Sequence, residues 1–271
     1  MHTSVRQTIL TMRERYYDPI TLHQLAAEVF VSPFHFSRIF ARDTGVTPGR
    51  YLTSIRLFEA KRLLLTTSLT VSDIVCSVGY SSVGTFTTRF TRAVGMTPSQ
   101  YREPAVSDLL VAVSRDFRRL PSREDLRRAG RTCVGAGNAG GGVISGVLQP
   151  PPELSSANVL VGVFADSVPQ CGPVAFTALH NAGGAQVVLN NVPDGRWWVI
   201  AAAQRPGLPG EVYLGRHRRI VEVAAGKVSR IGMRMRKLEP TDVPLAFTLA
   251  ATASVTGGQR PGAGRPVLNA A

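Results

Sequence analysis

TLHQLAAEVFVSPFHFSRIFARDTGVTPGRY, from Thr21 to Tyr51, is followed by TVSDIVCSVGYSSVGTFTTRFTRAVGMTPSQY, from Thr70 to Tyr101. Thr21, Leu25 and Val29 return 49 positions later as Thr70, Ile74 and Val78. Ser32, Phe36, Phe40, Gly45, Thr47, Pro48 and Tyr51 return 50 positions later as Ser82, Phe86, Phe90, Gly95, Thr97, Pro98 and Tyr101. One residue inserted in the second turn accounts for the change of offset. Each copy has the order of a short helix, a tight turn and a second helix. Two copies joined by a helix suggest two adjacent heads for reading DNA.

Helical phase separates core from surface in each copy. At about 100° per residue, Phe36, Ile39 and Phe40 share one stripe, as do Phe86 and Phe90. The opposite face carries Phe34, Ser37, Arg38, Ala41 and Arg42, and is free to enter a groove. Ser32 and Ser82 are placed to cap these helices and to aim their first turns at DNA. Outside the repeat, Val5, Ile9, Met12 and Tyr16 follow helical spacing, and Asp18-Pro19 ends that helix. A spacer helix runs from about Pro48 to Leu65, and its length sets the separation of the heads.

These residues resemble the DNA-binding domain of the AraC/XylS family of bacterial transcription regulators. The resemblance is carried by Ile74, Val78-Gly79-Tyr80, Phe86, Phe90, Gly95, Thr97-Pro98 and Tyr101-Arg102. In the spacer it is carried by Tyr51, Arg56-Leu57, Ala60 and Leu63-Leu64. It covers the first two fifths of the chain, with two departures: Thr88 stands where many relatives carry Arg, and Cys76 where a small Ala is usual. The resemblance implies sequence-specific binding of double-stranded DNA, with RNA polymerase as a candidate partner.

Composition agrees with a polyanionic partner. The 271 residues carry a formal net charge of +13, and Lys61, Lys227 and Lys237 are the only lysines, so arginine supplies most of it. Charge alone does not separate DNA from RNA or anionic lipid. Three cysteines, Cys76, Cys133 and Cys171, are odd in number and lack C-x-x-C spacing, which argues against a disulfide framework and against a zinc site. The expectation is a soluble, cytoplasmic protein without a signal peptide, a membrane span or a membrane partner.

Beyond Arg102 the pattern changes. Residues 104–142 read as an Arg- and Gly-rich linker, within which Leu109, Leu110 and Val113 continue a short helix. The Gly135, Gly137 and Gly140 pattern matches a dinucleotide fingerprint only in spacing, because no adequate strand precedes it and no helix follows. From Val143 the period is that of strands. Runs over 143–148, 158–165, 174–179, 185–189, 197–203, 219–223 and 227–235 suggest an all-β sandwich over 143–237. Ile144-Ser145-Gly146, Val192-Pro193-Asp194-Gly195-Arg196-Trp197 and Val221 to Lys227 resemble carboxypeptidase-regulatory-like, transthyretin-like domains, more weakly than the first resemblance. Trp197 and Trp198 alternate across a strand, so the expectation is one ring in the core and one partly covered at the surface, with stacking on a ligand such as a sugar as the alternative for the second. Residues 238–271 read as a poorly ordered tail.

The expected architecture is therefore multidomain: an all-α double helix-turn-helix domain over 1–103, the linker, then the sandwich. The first domain should fold and bind DNA alone. DNA-contacting candidates are Phe34, His35, Ser37, Arg38, Arg42 and Arg50 in the first head, and Val83, Gly84, Thr87, Thr88, Arg89 and Arg92 in the second. Arg38 suits a guanine edge, Phe34 a thymine methyl, and Arg42, Arg50, Arg89 and Arg92 suit phosphates. No catalytic, metal-binding or cofactor-binding set is expected. His2, His23, His35, His180 and His217 are scattered, although His180 and His217 could meet in the sandwich, and neither H-E-x-x-H nor G-x-S-x-G occurs. Two other readings stand beside the regulator. One is a DNA-repair methyl acceptor, for which Cys133 lacks the Pro-Cys-His-Arg setting. The other makes the sandwich a carbohydrate- or protein-binding module delivered to DNA, and a small-molecule or protein ligand of the sandwich fits either regulator or module.

Comparing the copies predicts unequal reading. The first head offers Phe34, Ser37 and Arg38 to the groove, the second Gly84, Thr87 and Thr88. Arg38→Ala should cost roughly 1–3 kcal/mol and relax one half of the site, because arginine can pair two acceptors on guanine. Thr88→Ala should cost less. Affinity for every single-base variant of a selected duplex checks this, and larger penalties in the half bound by the second head would refute it.

Overall fold

The computed structural model describes residues 1–122, 124–126, 141–179, 186–208 and 210–250. Its helical part begins with α1 (Thr3–Glu14), α2 (Leu22–Glu28) and α3 (Pro33–Thr44). Then come the spacer α4 (Pro48–Thr66), α5 (Val71–Ser77), α6 (Val83–Val94), α7 (Pro98–Tyr101) and α8 (Pro104–Asp108). The α2–α3 and α5–α6 pairs are the two heads.

Local chemistry sets the boundaries in duplicate. Thr21 Oγ1 accepts from the Gln24 amide at 3.3 Å while Gln24 Oε1 accepts from the Thr21 amide at 2.8 Å. Thr70 and Asp73 repeat this capping box at 3.2 and 3.1 Å. Ser32 and Ser82 each accept an amide at 3.3 Å at the start of α3 and α6. Gly45 at φ 78° and Gly95 at φ 85° end those helices. The cores match as well: Phe36, Phe40 and Tyr51 pack in tilted and edge-on contacts with centroids 5.6 and 5.5 Å apart, and Phe86, Phe90 and Tyr101 at 5.4 and 5.6 Å.

The turns differ. Gly79 has φ 80°, and a Cβ there would lie 2.6 Å from the Tyr17 carbonyl oxygen, so only glycine fits. In the first head Phe30 takes a left-handed φ of 56°, a conformation that costs a bulky residue roughly 1–2 kcal/mol. Two arginines tie the heads to the spacer. Arg56 donates to the Tyr16 and Asp18 carbonyls, both at 2.7 Å, and Arg102 to Leu64 at 3.2 Å and Leu69 at 2.5 Å.

The segment expected as a linker contains structure. The helix ends at Asp108, and β1 (Leu110–Val113) and β2 (Arg118–Arg119) follow. The strands β3 (Gly142–Gln149), β4 (Val159–Phe164), β5 (Ala175–Leu179), β6 (Gln186–Val192), β7 (Gly195–Gln204), β8 (Val212–Arg216), β9 (Val221–Val223) and β10 (Val228–Lys237) come next. Finally β11 (Leu245–Thr248) lies in the span expected to be poorly ordered. It pairs antiparallel with β1, from Leu110↔Thr248 to Val113↔Leu245, and this pairing is what makes a strand of a segment that looked helical by itself. Cys133, His180, the Gly135–Gly140 pattern and the tail after Ala250 lie outside the described residues.

Hydrogen bonds join the other strands into one sheet, in the order β5-β4-β7-β8-β10-β3-β6 with β9 on β7, rather than dividing them between the two layers of the expected sandwich. β10 is the reason. Residues 228–234 pair parallel with β3, while 235–237 pair antiparallel with β8, so one strand carries the sheet around a corner. The end strands β5 and β6 approach one another, and the sheet is nearly closed. Ile144, Leu148, Val159, Val161, Val163, Val187, Leu189, Met233 and Met235 fill its interior. Trp197 packs against that core and donates from Nε1 to the Pro193 carbonyl at 2.7 Å.

The outer face of the sheet is apolar too. Leu160, Phe164, Ile200, Ala202, Val212 and Leu214 belong to one buried cluster with Leu245 and Phe247 of β11 and with Val5, Ile9, Met12, Tyr51, Leu52 and Ile55. A core thus runs from the first head into the β region, across the boundary expected at residue 103. Lys61 of α4 is 1% exposed and donates to the Ala246 carbonyl at 2.6 Å and to the Gln170 carbonyl and Oε1 at 2.7 and 3.0 Å. No helix of the described residues is long and apolar enough to cross a membrane.

Burial pushes Lys61 down to about 7 from an ordinary 10.5, despite the three oxygens that accept its protons. Between those values the unfolded chain keeps a proton that the folded chain has released, so folding becomes more favourable as pH rises through this window. The gain should approach, at most, about 1.4 kcal/mol per pH unit. Lys61→Met should flatten this rise. Urea denaturation of both proteins across the window measures it, and equal slopes would refute the assignment.

Candidate nucleic-acid interface

α2 and α5 pack behind α3 and α6, so the second helix of each head turns its apolar stripe inward and its polar face out. In α3, Phe36, Ile39 and Phe40 are buried, whereas Phe34, His35, Arg38 and Arg42 are exposed and Ser37 is half-buried. Phe34 is 79% exposed. In α6, Phe86, Phe90 and Val94 are buried, Val83, Gly84, Thr88, Arg89 and Arg92 are exposed, and Thr87 is half-buried. The candidates of each head therefore lie on one accessible helix face.

Their electrostatic settings differ. Among the described residues Arg38 and Arg92 have no hydrogen-bonded or ion-pair partner, which leaves both guanidinium groups available. Arg42 donates to the His2 ring at 3.0 Å and lies 3.6 Å from the Asp43 carboxylate. Burial would raise the Asp43 carboxyl, but hydrogen bonds from the His2 amide and ring hold it below its usual range. Arg89 lies beside the Tyr80 phenol, where burial raises the phenol's pKa and Arg56 and Arg89 oppose the rise. Arg50, in the first turn of α4, pairs with Asp166 from the β region. Of the arginines proposed for phosphates, Arg50 alone carries an intramolecular carboxylate partner from the β region.

Two features were missed in the sequence. Phe30 is 95% exposed at the turn of the first head, close in sequence to Phe34, so that head presents two uncovered aromatic rings. Its signal was the mismatch with Gly79 at the equivalent turn. Asp166 carried no signal, because its meeting with Arg50 depends on how the β region packs.

Residues 25–104 match the family model described as a helix-turn-helix domain. The uncharacterized HTH-type transcriptional regulator YobQ of Bacillus subtilis strain 168 is 31% identical over 101 residues, covering 37% of this chain and 42% of that relative. The lactose operon transcription activator of Staphylococcus xylosus is 30% identical over 102 residues, covering 38% and 37%. This part of the chain is a helix-turn-helix domain. The bifunctional transcriptional activator/DNA repair enzyme AdaA of Bacillus subtilis strain 168 is 31% identical over 90 residues, covering 33% and 43%. The chain spans less than half the length of these relatives.

The Arg50–Asp166 pair should compete with phosphate. Both side chains are about half exposed, at 52% and 50%, so the pair is worth only roughly 0.2–1 kcal/mol. Asp166→Asn should therefore raise affinity for a cognate duplex by up to about fivefold. Arg50→Ala should lower it and reduce the salt slope by about one. Fluorescence anisotropy titrations at several salt concentrations test both, and an unchanged slope in Arg50→Ala would remove this residue from the interface.

Proposed function

We propose that the protein is a sequence-specific regulator of transcription that binds double-stranded DNA and reads two adjacent major-groove segments with α3 and α6. The observation that carries this reading is the duplication in three dimensions: two heads with the same caps, the same aromatic core and the same exposed helix face, held on one spacer. Phe34, His35, Ser37 and Arg38 of the first head and Val83, Gly84, Thr87 and Thr88 of the second are assigned to bases and nearby backbone. Arg42, Arg50, Arg89 and Arg92 are assigned to phosphates, which fix register. In this reading residues 1–103 are the reader and the β region is its regulatory partner, with β1 and β11 as the seam.

Cys133, the thiol weighed as a methyl acceptor, lies outside the described residues, which hold Cys76 and Cys171. A methyl acceptor needs an activated thiolate. Cys76 is an exposed residue of α5. Protein packed around the Cys171 sulfur raises its thiol pKa, and the nearby Lys61 charge offsets this only in part. Among the described residues no group of three or more His, Cys, Asp or Glu side chains could hold a metal ion.

In vitro selection of duplexes by the full chain tests the reading. Binding should be specific, and log affinity should fall linearly with log salt at a slope set by roughly six to ten phosphate contacts. Equal affinity for selected and scrambled duplexes, or a flat salt dependence, would overturn it.

A further inference from the structure

The sheet opens where β10 changes partner. Beyond Gly215↔Met235 the chain leaving β8 no longer pairs with β10, and β10 turns to β3 instead. His217 spans the gap, its amide donating to the Val199 carbonyl and its Nδ1 lying 3.0 Å from the Gly232 carbonyl oxygen. The opening is a cavity of ≈ 660 Å³. Leu214, Met233 and Val147 give it an apolar floor and wall, and Arg216, Arg218, Arg219, Arg234 and Arg236 surround them.

The charge in this cavity is not balanced. Asp242 is its one acidic lining residue, and its carboxylate is committed to Arg236 at 2.8 and 2.6 Å. Arg216 donates to the Ser167 carbonyl at 2.6 Å, which fixes its direction without neutralising it. Among the described residues Arg218, Arg219 and Arg234 have no hydrogen-bonded or ion-pair partner. Guanidinium groups converging on a concave, partly apolar space match a carboxylate or phosphate in geometry, and each can bind bidentately. A solvated surface would spread such charges apart, whereas here β8, the turn that follows it and β10 place them around one volume.

We propose that this cavity binds a small organic polyanion, a phosphate ester or polycarboxylate with a compact apolar part. Its walls are also joined to the reader. The Asp242 carbonyl accepts from Arg13 of α1 at 2.7 Å and from the Tyr51 hydroxyl of α4 at 3.2 Å. Ser167, which anchors Arg216, adjoins the Asp166 that pairs with Arg50. An anion that draws Arg216 and Arg236 inward therefore acts on the segments touching α1 and α4. Only this regulatory consequence rests on the DNA-reading function; the binding itself does not.

Calorimetric titration of the full chain with pyrophosphate and, separately, citrate, at constant ionic strength and without DNA, tests the site. Saturable one-to-one binding of at least one probe is expected, and the preferred probe tells phosphate from carboxylate. The double substitution Arg218→Gln/Arg234→Gln touches exposed side chains only and should weaken binding by roughly tenfold or more. Arg230→Gln, on the same strand outside the cavity, should leave it unchanged. Absence of saturable binding by both probes, or equal weakening by Arg230→Gln, overturns the proposal. So does a double variant that loses DNA affinity while retaining anion affinity, since its arginines would then be DNA contacts. Failure of the DNA-reading function alone would leave the calorimetric result standing.

Discussion

The structure depends on α4 being buried against both heads and the β region. Tyr51, Leu52 and Ile55 enter the cluster shared with the first head and the outer face of the sheet, while Leu57, Phe58, Ala60 and Leu64 enter the cluster of the second head. Thr53, Arg56, Glu59 and Arg62 lie along the exposed and half-buried side of the helix, and the apolar remainder is enclosed by the two heads and by the β region. β11 supplies the remaining wall. Its Leu245 and Phe247 face the sheet, and Ala246 faces the second head's cluster. The edge of that wall is polar where the buried Lys61 amino group donates to the Ala246 carbonyl and so ties the strand to the helix.

This arrangement explains what could be read in the sequence and what could not. Caps, αL glycines and aromatic stripes act within a dozen residues, and so the heads and the spacer were legible from Thr21 to Tyr101. Strands β3 to β7, β9 and β10 announced themselves by β-branched runs between turns. β1 and β11 did not, because each is four residues long and becomes a strand only by pairing with the other, Leu110 with Thr248. β8 was hidden by the arginines that follow it. The continuous apolar run of β4, Val159 to Phe164, did carry a message: a strand buried on both faces needs a layer on each side. One of those layers is the helical domain. The site residues were legible as a face, since phase alone separates Phe34 and Arg38 from Phe36 and Phe40, whereas the capture of Arg50 by Asp166 depends on packing across the seam.

The two heads are alike in frame and different at the surface. Both turns pass through a left-handed position, which is Gly79 against the Tyr17 backbone in the second head and Phe30 in the first. That strain persists because the surrounding caps and core over-determine the turn. Its outcome is an uncovered aromatic ring on the same head that carries the unpaired Arg38 and the exposed Phe34. The second head has neither ring, and presents small residues instead.

A shared core also limits how such a reader could be modulated. Domains joined by a flexible linker move as separate bodies, but a large apolar interface removes that freedom. Swinging the β region away would expose Leu52, Ile55, Phe164, Ile200, Leu214 and Phe247 together, at roughly 1.5–3 kcal/mol for each large side chain. Small rearrangements at the rim are far less costly. The rim is where the Thr241 and Asp242 carbonyls meet Tyr51 and Arg13, and where Asp166 meets Arg50. A signal reaching the heads from the β region must therefore travel as a change of pairing at these few polar contacts, with α4 and its apolar surroundings held in place.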